Sequence, residues 1–242
     1  MTSYLSTKPI PLSDRLIMAL DVPGIPEAMA LVDELGDAVS FYKVGLELFM
    51  SGDYFGLIDW LKAKDKKVFV DLKFFDVPET VARAVRAISK HGVDFATIHG
   101  NDAIMQAAAR EKGDLKILAV TVLTSLDRGD LDDLGFDCDV QQLVLSRARR
   151  ALQIGCDGVV SSGLEAPLLR AEIDHKLLVV TPGIRPVENR PMDDQKRIVT
   201  VEQAFLNGAD HIVVGRPIRD AANRREEALR VRQQISDAFS RS

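Results

Sequence analysis

The stretch Lys67-Val68-Phe69-Val70-Asp71-Leu72-Lys73-Phe74-Phe75-Asp76-Val77-Pro78-Glu79-Thr80 opens as an apolar strand and ends where a helix begins. Pro78 suits the first helical position, because no amide donor is needed there. Side chains two apart on a strand share a face, so Asp71 and Lys73 are expected to point the same way. Asp76 lies past the strand end and need not share that face. Burying ions costs roughly several kcal/mol each unless partners compensate. A bare D-x-K-x-x-D is most often a surface salt bridge, so the rest of the chain has to decide what this one does.

The same strand-then-helix unit recurs. Strand-like runs fall at 16–21, 41–45, 67–71, 95–99, 116–121, 158–161, 177–181 and 211–215. Helical patterns follow at 26–35, 54–64, 79–91, 102–111, 140–154, 165–172, 201–207 and 218–239. The strands are apolar on both sides, as expected where helices cover a closed parallel sheet. Eight βα units in a chain of 242 residues predict an α/β protein with a (β/α)8 TIM barrel. No linker divides the chain, so one domain over 1–242 is expected, with 1–14 as an N-terminal extension. Gly92 and Gly208 sit where helices should end, and Pro217, like Pro78, sits where one should begin.

Composition narrows the function. Formal charge is 31 − 36 = −5, without the basic surplus usual for nucleic-acid binders. A local basic cluster could still hold a small anion, since distant charges are screened. Cys138 and Cys156 form no C-x-x-C pair, and His91, His175 and His211 lack metal-ligand spacing, so they read as structural. No apolar run approaches the roughly 20 residues of a membrane span. Met1 to Asp14 lacks the order of a signal peptide. The expectation is a soluble cytoplasmic protein without metal or membrane partner. The acidic run 127–139 lacks the spacing of a calcium loop and reads as a solvated loop with a helix cap.

Active sites of such barrels form at the C-terminal strand ends, and the polar residues of this chain gather there. Asp21 closes strand one, Lys43 lies within strand two, and Asp71 and Lys73 close strand three. His99-Gly100 ends strand four, Thr121 to Ser125 follow strand five, and Thr181-Pro182-Gly183-Ile184-Arg185 follow strand seven. Gly215-Arg216-Pro217 ends strand eight and reads as a phosphate site: a close backbone approach, a helix N-terminus and a planar donor fork. The polar stretch 182–200, with Arg185, Arg190, Gln195 and Arg197, reads as a lid.

The run from Asp71 to Thr80 resembles the D-x-K-x-x-D-[IV]-P-x-T segment of the orotidine 5′-monophosphate decarboxylase family. Ala19-Leu20-Asp21, Lys43-Val44-Gly45, Val120-Thr121-Val122-Leu123-Thr124-Ser125, Val180 to Pro186, Asp194-Gln195-x-Arg197 and Gly215-Arg216-Pro217 are similar to that family in the same order. His99-Gly100-Asn101 departs from the expected His-Ala followed by small residues. The resemblance implies cofactor-independent decarboxylation of orotidine 5′-monophosphate to UMP, the last step of de novo pyrimidine nucleotide synthesis. It implies that Lys73 protonates C6, that Asp71 lies beside the departing carboxylate, and that Lys43 joins the charge array and reaches the ribose. Asp76 and Thr80 would enter the neighbouring site of a homodimer. Asp21 would bind ribose hydroxyls, and Thr124 and Ser125 the base. Pro182 would line the substrate site, with Arg185, Gln195, Gly215 and Arg216 on the phosphate. Flanking carboxylates favour a charged lysine at position 73.

Two other readings stay open. A Mg²⁺-dependent sugar-phosphate synthase or decarboxylase shares D-x-K-x-x-D, but resembles its kin in holding the cation partly by an acid on strand two, where this chain has Lys43. A silent nucleotide-binding barrel would be expected to have lost one of Lys43, Asp71, Lys73 or Asp76.

Overall fold

A computed structural model of the chain describes residues 4–185 and 198–240. Eight parallel strands close in chain order into a barrel: β1 (Leu16–Ala19), β2 (Phe41–Gly45), β3 (Lys67–Phe74), β4 (Phe95–His99), β5 (Lys116–Val120), β6 (Gly158–Val160), β7 (Leu178–Thr181) and β8 (His211–Val214). The helices of its first half are α1 (Ile25–Leu35), α2 (Leu46–Phe49), α3 (Tyr54–Ala63), α4 (Pro78–Ser89) and α5 (Asp102–Glu111). Those of the second are α6 (Arg128–Asp133), α7 (Val140–Ile154), α8 (Ala166–Glu172), α9 (Val201–Leu206), α10 (Arg216–Arg219) and α11 (Arg224–Ser240). The expected single-domain (β/α)8 barrel is what forms.

Alternation along the strands sorts the core into two layers. Ile17, Ala19, Phe41, Phe69, Phe95, Leu118, Leu178, Val180 and Val213 pack together inside the barrel. Their neighbours, such as Met18, Tyr42, Val68, Val70, Ala96 and Val214, pack outward in the core shared with the helices. α4 shows the matching helical pattern: Val81, Ala82, Val85 and Ile88 are buried at three- and four-residue spacing, behind Pro78 in the first turn.

Three local expectations need correction. The strand expected at 67–71 runs on to Phe74, and its pairing with β4 shifts register between Val70 and Phe74. The run 127–139 is capped at both Asp127 and Asp139, as a helix-capping reading requires, but it also contains α6. The helix expected over 218–239 is two helices. Asn223 breaks it: its Oδ1 accepts from the Glu226 amide at 3.1 Å, and its Nδ2 donates to the Glu226 carboxylate at 3.2 Å.

At the N-terminal end of the strands, residues 4–14 are tied down. The Tyr4 amide donates to Leu206 O at 3.0 Å, and Lys8 Nζ reaches Asp210 at 2.9 Å. Asp210 is fully buried and also accepts from Arg170 at 2.7 Å and from the Val179 amide at 2.9 Å. Burial alone would raise its pKa, but Arg170 and Lys8 outweigh that and hold it below the ordinary carboxylate value.

Candidate active site

The same alternation that fills the barrel interior builds the site above it. Asp21 lies two residues beyond Ala19, Lys43 two beyond Phe41, Asp71 two beyond Phe69 and Thr97 two beyond Phe95. All four therefore continue the inward-facing rows toward the C-terminal strand ends. Lys43 Nζ donates to Asp21 Oδ1 at 3.1 Å and lies 3.5 Å from Asp71 Oδ2. Lys73 Nζ donates to Asp71 Oδ1 at 3.0 Å. The result is an unbroken alternation of acid and base, Asp21–Lys43–Asp71–Lys73. The Lys43 and Asp71 side chains are 12% and 13% exposed and Lys73 33%, so Lys73 is the more open end of the buried part.

Burial opposes the charged form of Lys43, yet Asp71 and Asp21 together outweigh it and raise its pKa above the ordinary value. Burial likewise opposes ionised Asp71, and Lys43, Lys73 and a hydrogen bond from Thr97 outweigh it and lower that pKa. Both inner groups are therefore held charged.

Lys73 does not meet Asp71 by simple strand alternation. Its φ is +49°, in the left-handed region, at the register shift of β3. For a side chain with a Cβ this conformation costs roughly 1–2 kcal/mol. Thr97 stabilises it: the fully buried hydroxyl accepts from the Lys73 amide at 2.9 Å and donates to Asp71 Oδ1 at 2.9 Å. The sequence reading missed Thr97. Its signal was available in the inward row Phe95–Thr97–His99.

A cavity of about 690 Å³ opens over this array. Asp21, Lys43, Asp71 and Lys73 are among the residues lining it, as are Thr124, Ser125, Pro182, Arg185, Gly215 and Arg216. Arg219, also unforeseen, joins them there. A Cβ placed on Gly215 would meet Ala19 and Asp21 only at ordinary contact distances of 3.5 and 3.6 Å. The protein's own packing therefore does not demand glycine at this position.

Asp76 and Thr80 are not among the residues lining the cavity. Asp76 is exposed, its Oδ1 accepting from the Val77 amide at 2.6 Å, and Thr80 lies in the first turn of α4. Gln195, with Arg190 and Arg197, lies outside the described residues. The departure at Gly100 has a local reason: a Cβ there would stand 2.9 Å from Val120 O and 3.1 Å from Arg147 Cδ. Arg147 in turn donates to Thr121 O. Among the described residues no group of three or more His, Cys, Asp or Glu side chains could hold a metal ion, and no helix is long and apolar enough to cross a membrane.

A family model described as Orotidine 5'-phosphate decarboxylase / HUMPS family matches residues 14–231. A Methylococcus capsulatus protein named orotidine 5'-phosphate decarboxylase is 78% identical over 240 residues, covering 99% of both chains. One of that name from Stenotrophomonas maltophilia is 49% identical over 98% of this chain and 99% of its own. A crystal structure of orotidine 5'-phosphate decarboxylase from Lactobacillus acidophilus superposes with a TM-score of 0.81 at 32% identity, over 92% of this chain and 99% of that one.

Proposed function

The chain belongs to the orotidine 5'-phosphate decarboxylase / HUMPS family, and from that premise we propose that it converts orotidine 5′-monophosphate to UMP and CO2. The observation that carries this reading is the Asp21–Lys43–Asp71–Lys73 array opening into a cavity that also holds Arg185 and Arg216. The arginines suit the phosphate, Thr124 and Ser125 the base, and Asp21 and Lys43 the ribose.

The proposed chemistry needs only the chain's own groups. The bond from C6 to the carboxylate breaks and its electron pair stays on C6. The Lys73 ammonium, held beside that atom, stabilises the developing charge and passes a proton to it. Neutral Lys73 then regains a proton from solvent. Asp71 sits beside the departing carboxylate and keeps Lys73 and Lys43 in place. Binding energy at the phosphate, gripped by Arg185, Gln195, Gly215 and Arg216, orients the ring over Lys73. α10 is only four residues long, so its dipole is a small part of that grip.

The protein is proposed to act as a cytoplasmic homodimer in which Asp76 and Thr80 complete the partner's site. Supporting this, exposed Phe75 and Val77 flank Asp76, and exposed Leu46, Phe49 and Met50 follow the adjacent strand β2. Exposed large apolar side chains on both segments suit burial in a subunit interface. A cytoplasmic setting would also keep the free thiols of Cys138 and Cys156 reduced.

The Mg²⁺-dependent sugar-phosphate reading is disfavoured by Lys43, whose ammonium already bridges the Asp21 and Asp71 carboxylates. The test is to mix EDTA-treated protein with orotidine 5′-monophosphate and follow the ultraviolet change as UMP forms. Conversion supports the proposal, and no conversion by the folded protein overturns it.

A further inference from the structure

We propose that Arg219 is a positioning residue that ties the phosphate end of the cavity to the charged array through the main chain of Asp21. The inference rests on the nucleotide reading of the cavity given above.

The geometry is specific. Arg219 Nη1 donates to Asp21 O at 2.7 Å. The other edge of the guanidinium forks onto Asp220, with Nε to Oδ1 at 2.6 Å and Nη2 to Oδ2 at 3.1 Å. A planar fork held on one edge presents its remaining donor in a fixed direction. The Arg219 amide donates to Gly215 O at 3.0 Å, and its carbonyl accepts from Arg224 Nε at 2.8 Å.

These bonds form a continuous path. It runs from Gly215, in the loop proposed to grip phosphate, through Arg219 to the Asp21 carbonyl. It continues from the Asp21 carboxylate to Lys43, Asp71 and Lys73. The path also crosses a seam: the pairing of β1 with β8 stops at Met18 and Val214, three residues before Asp21. Beyond that point Arg219 joins the segments that follow the two strands. Without it, Asp21 would be freer to turn away from Lys43 and from the ribose.

The test is a double-mutant cycle on kcat/KM for orotidine 5′-monophosphate, using Arg219→Met alone and in an Asp21→Asn background. Arg219→Met alone is expected to lower kcat/KM roughly 10- to 100-fold, the loss of one hydrogen bond from a charged donor. In the Asp21→Asn background the further loss should shrink to about twofold or less, since the carboxylate being positioned is gone. A role in folding alone would give the same loss in both backgrounds, and that result overturns the proposal. Asp220→Ala, at an exposed site, releases the fork without removing Arg219 and should reproduce part of the loss even if Arg219→Met folds poorly. Wild-type kcat/KM in Asp220→Ala overturns the proposal as well. If the wild type leaves orotidine 5′-monophosphate untouched, the nucleotide reading falls, and this inference with it. If the wild type turns it over and Arg219→Met matches it, this inference alone falls.

Discussion

The backbone amide of Lys73 donates to the side-chain hydroxyl of Thr97 at 2.9 Å, across the place where β3 and β4 lose register. That bond holds a lysine in a left-handed conformation, and the same hydroxyl reaches Asp71. Thr97→Val keeps the shape of the side chain and removes both bonds. It deprives the Lys73 amide of this acceptor and leaves Asp71 Oδ1 with one donor fewer, so a stability loss of about 1–3 kcal/mol is expected in urea unfolding. Turnover should fall with it, because Lys73 loses its anchor. Unchanged stability and turnover would show that Thr97 is idle.

The strain at Lys73 separates two inactive variants. Lys73→Ala and Lys73→Gly should both abolish decarboxylation, but glycine adopts φ of +49° without the Cβ penalty. Lys73→Gly is therefore expected to be more stable than Lys73→Ala by about 1 kcal/mol in denaturant unfolding. The reverse order would mean that the backbone there is unstrained.

Gly215 separates folding from binding. Its added Cβ meets only ordinary contacts within the protein, so Gly215→Ala should still fold and unfold cooperatively. The methyl group would stand where the nucleotide phosphate is proposed to approach, so KM should rise and UMP should bind more weakly by calorimetry. Tight UMP binding by Gly215→Ala would move the phosphate elsewhere.

His211 makes the barrel acid-sensitive. It is buried, its Nδ1–H donates to Asp14 O at 2.8 Å, and burial lowers its pKa to about 4. An unfolded histidine titrates near 6.5, so between these values the unfolded chain binds a proton that the folded chain refuses. The stability gained from a neutral His211 is full above about pH 6.5 and is lost as pH falls toward 4, about 3 kcal/mol in all. Asp71 and Asp210, with lowered pKa values, lose theirs at still lower pH. His211→Gln should flatten the stability profile between pH 6.5 and 4. A slope equal to that of wild type would assign the sensitivity to another group.

Sharing of sites is testable by mixing. Lys73→Ala and Asp76→Ala chains should each be inactive, and random mixed dimers should recover roughly a quarter of wild-type activity, one good site in half the dimers. No recovery in verified mixed dimers would mean that each site is built from one chain.

Much of this site is legible in the sequence because strand alternation is local. Given eight strands, Asp21, Lys43 and Asp71 fall on the inward rows without further information. The pairing of Asp71 with Lys73 is also legible, though the route to it is a register shift rather than regular pleating. That shift depends on how β4 meets β3, which no local pattern carries. Arg219 was hidden for a related reason: its partner is the carbonyl of Asp21, at the far end of the chain. The break before α11 was readable, since Asn223 and Glu226 have capping-box spacing, but the helical periodicity on either side masked it. Asp76 and Thr80, read as acting across a dimer, stand away from the cavity in a single chain.

The central claim is that Lys73 delivers the proton that replaces the carboxylate. It is tested most directly by running the reaction in D2O, with metals chelated, and reading CO2 release and the C6 position of UMP by NMR. Wild-type protein should place one deuterium at C6 for each CO2 released, and Lys73→Ala should do neither. Release of CO2 and labelling of C6 by Lys73→Ala at rates near wild type would contradict the account.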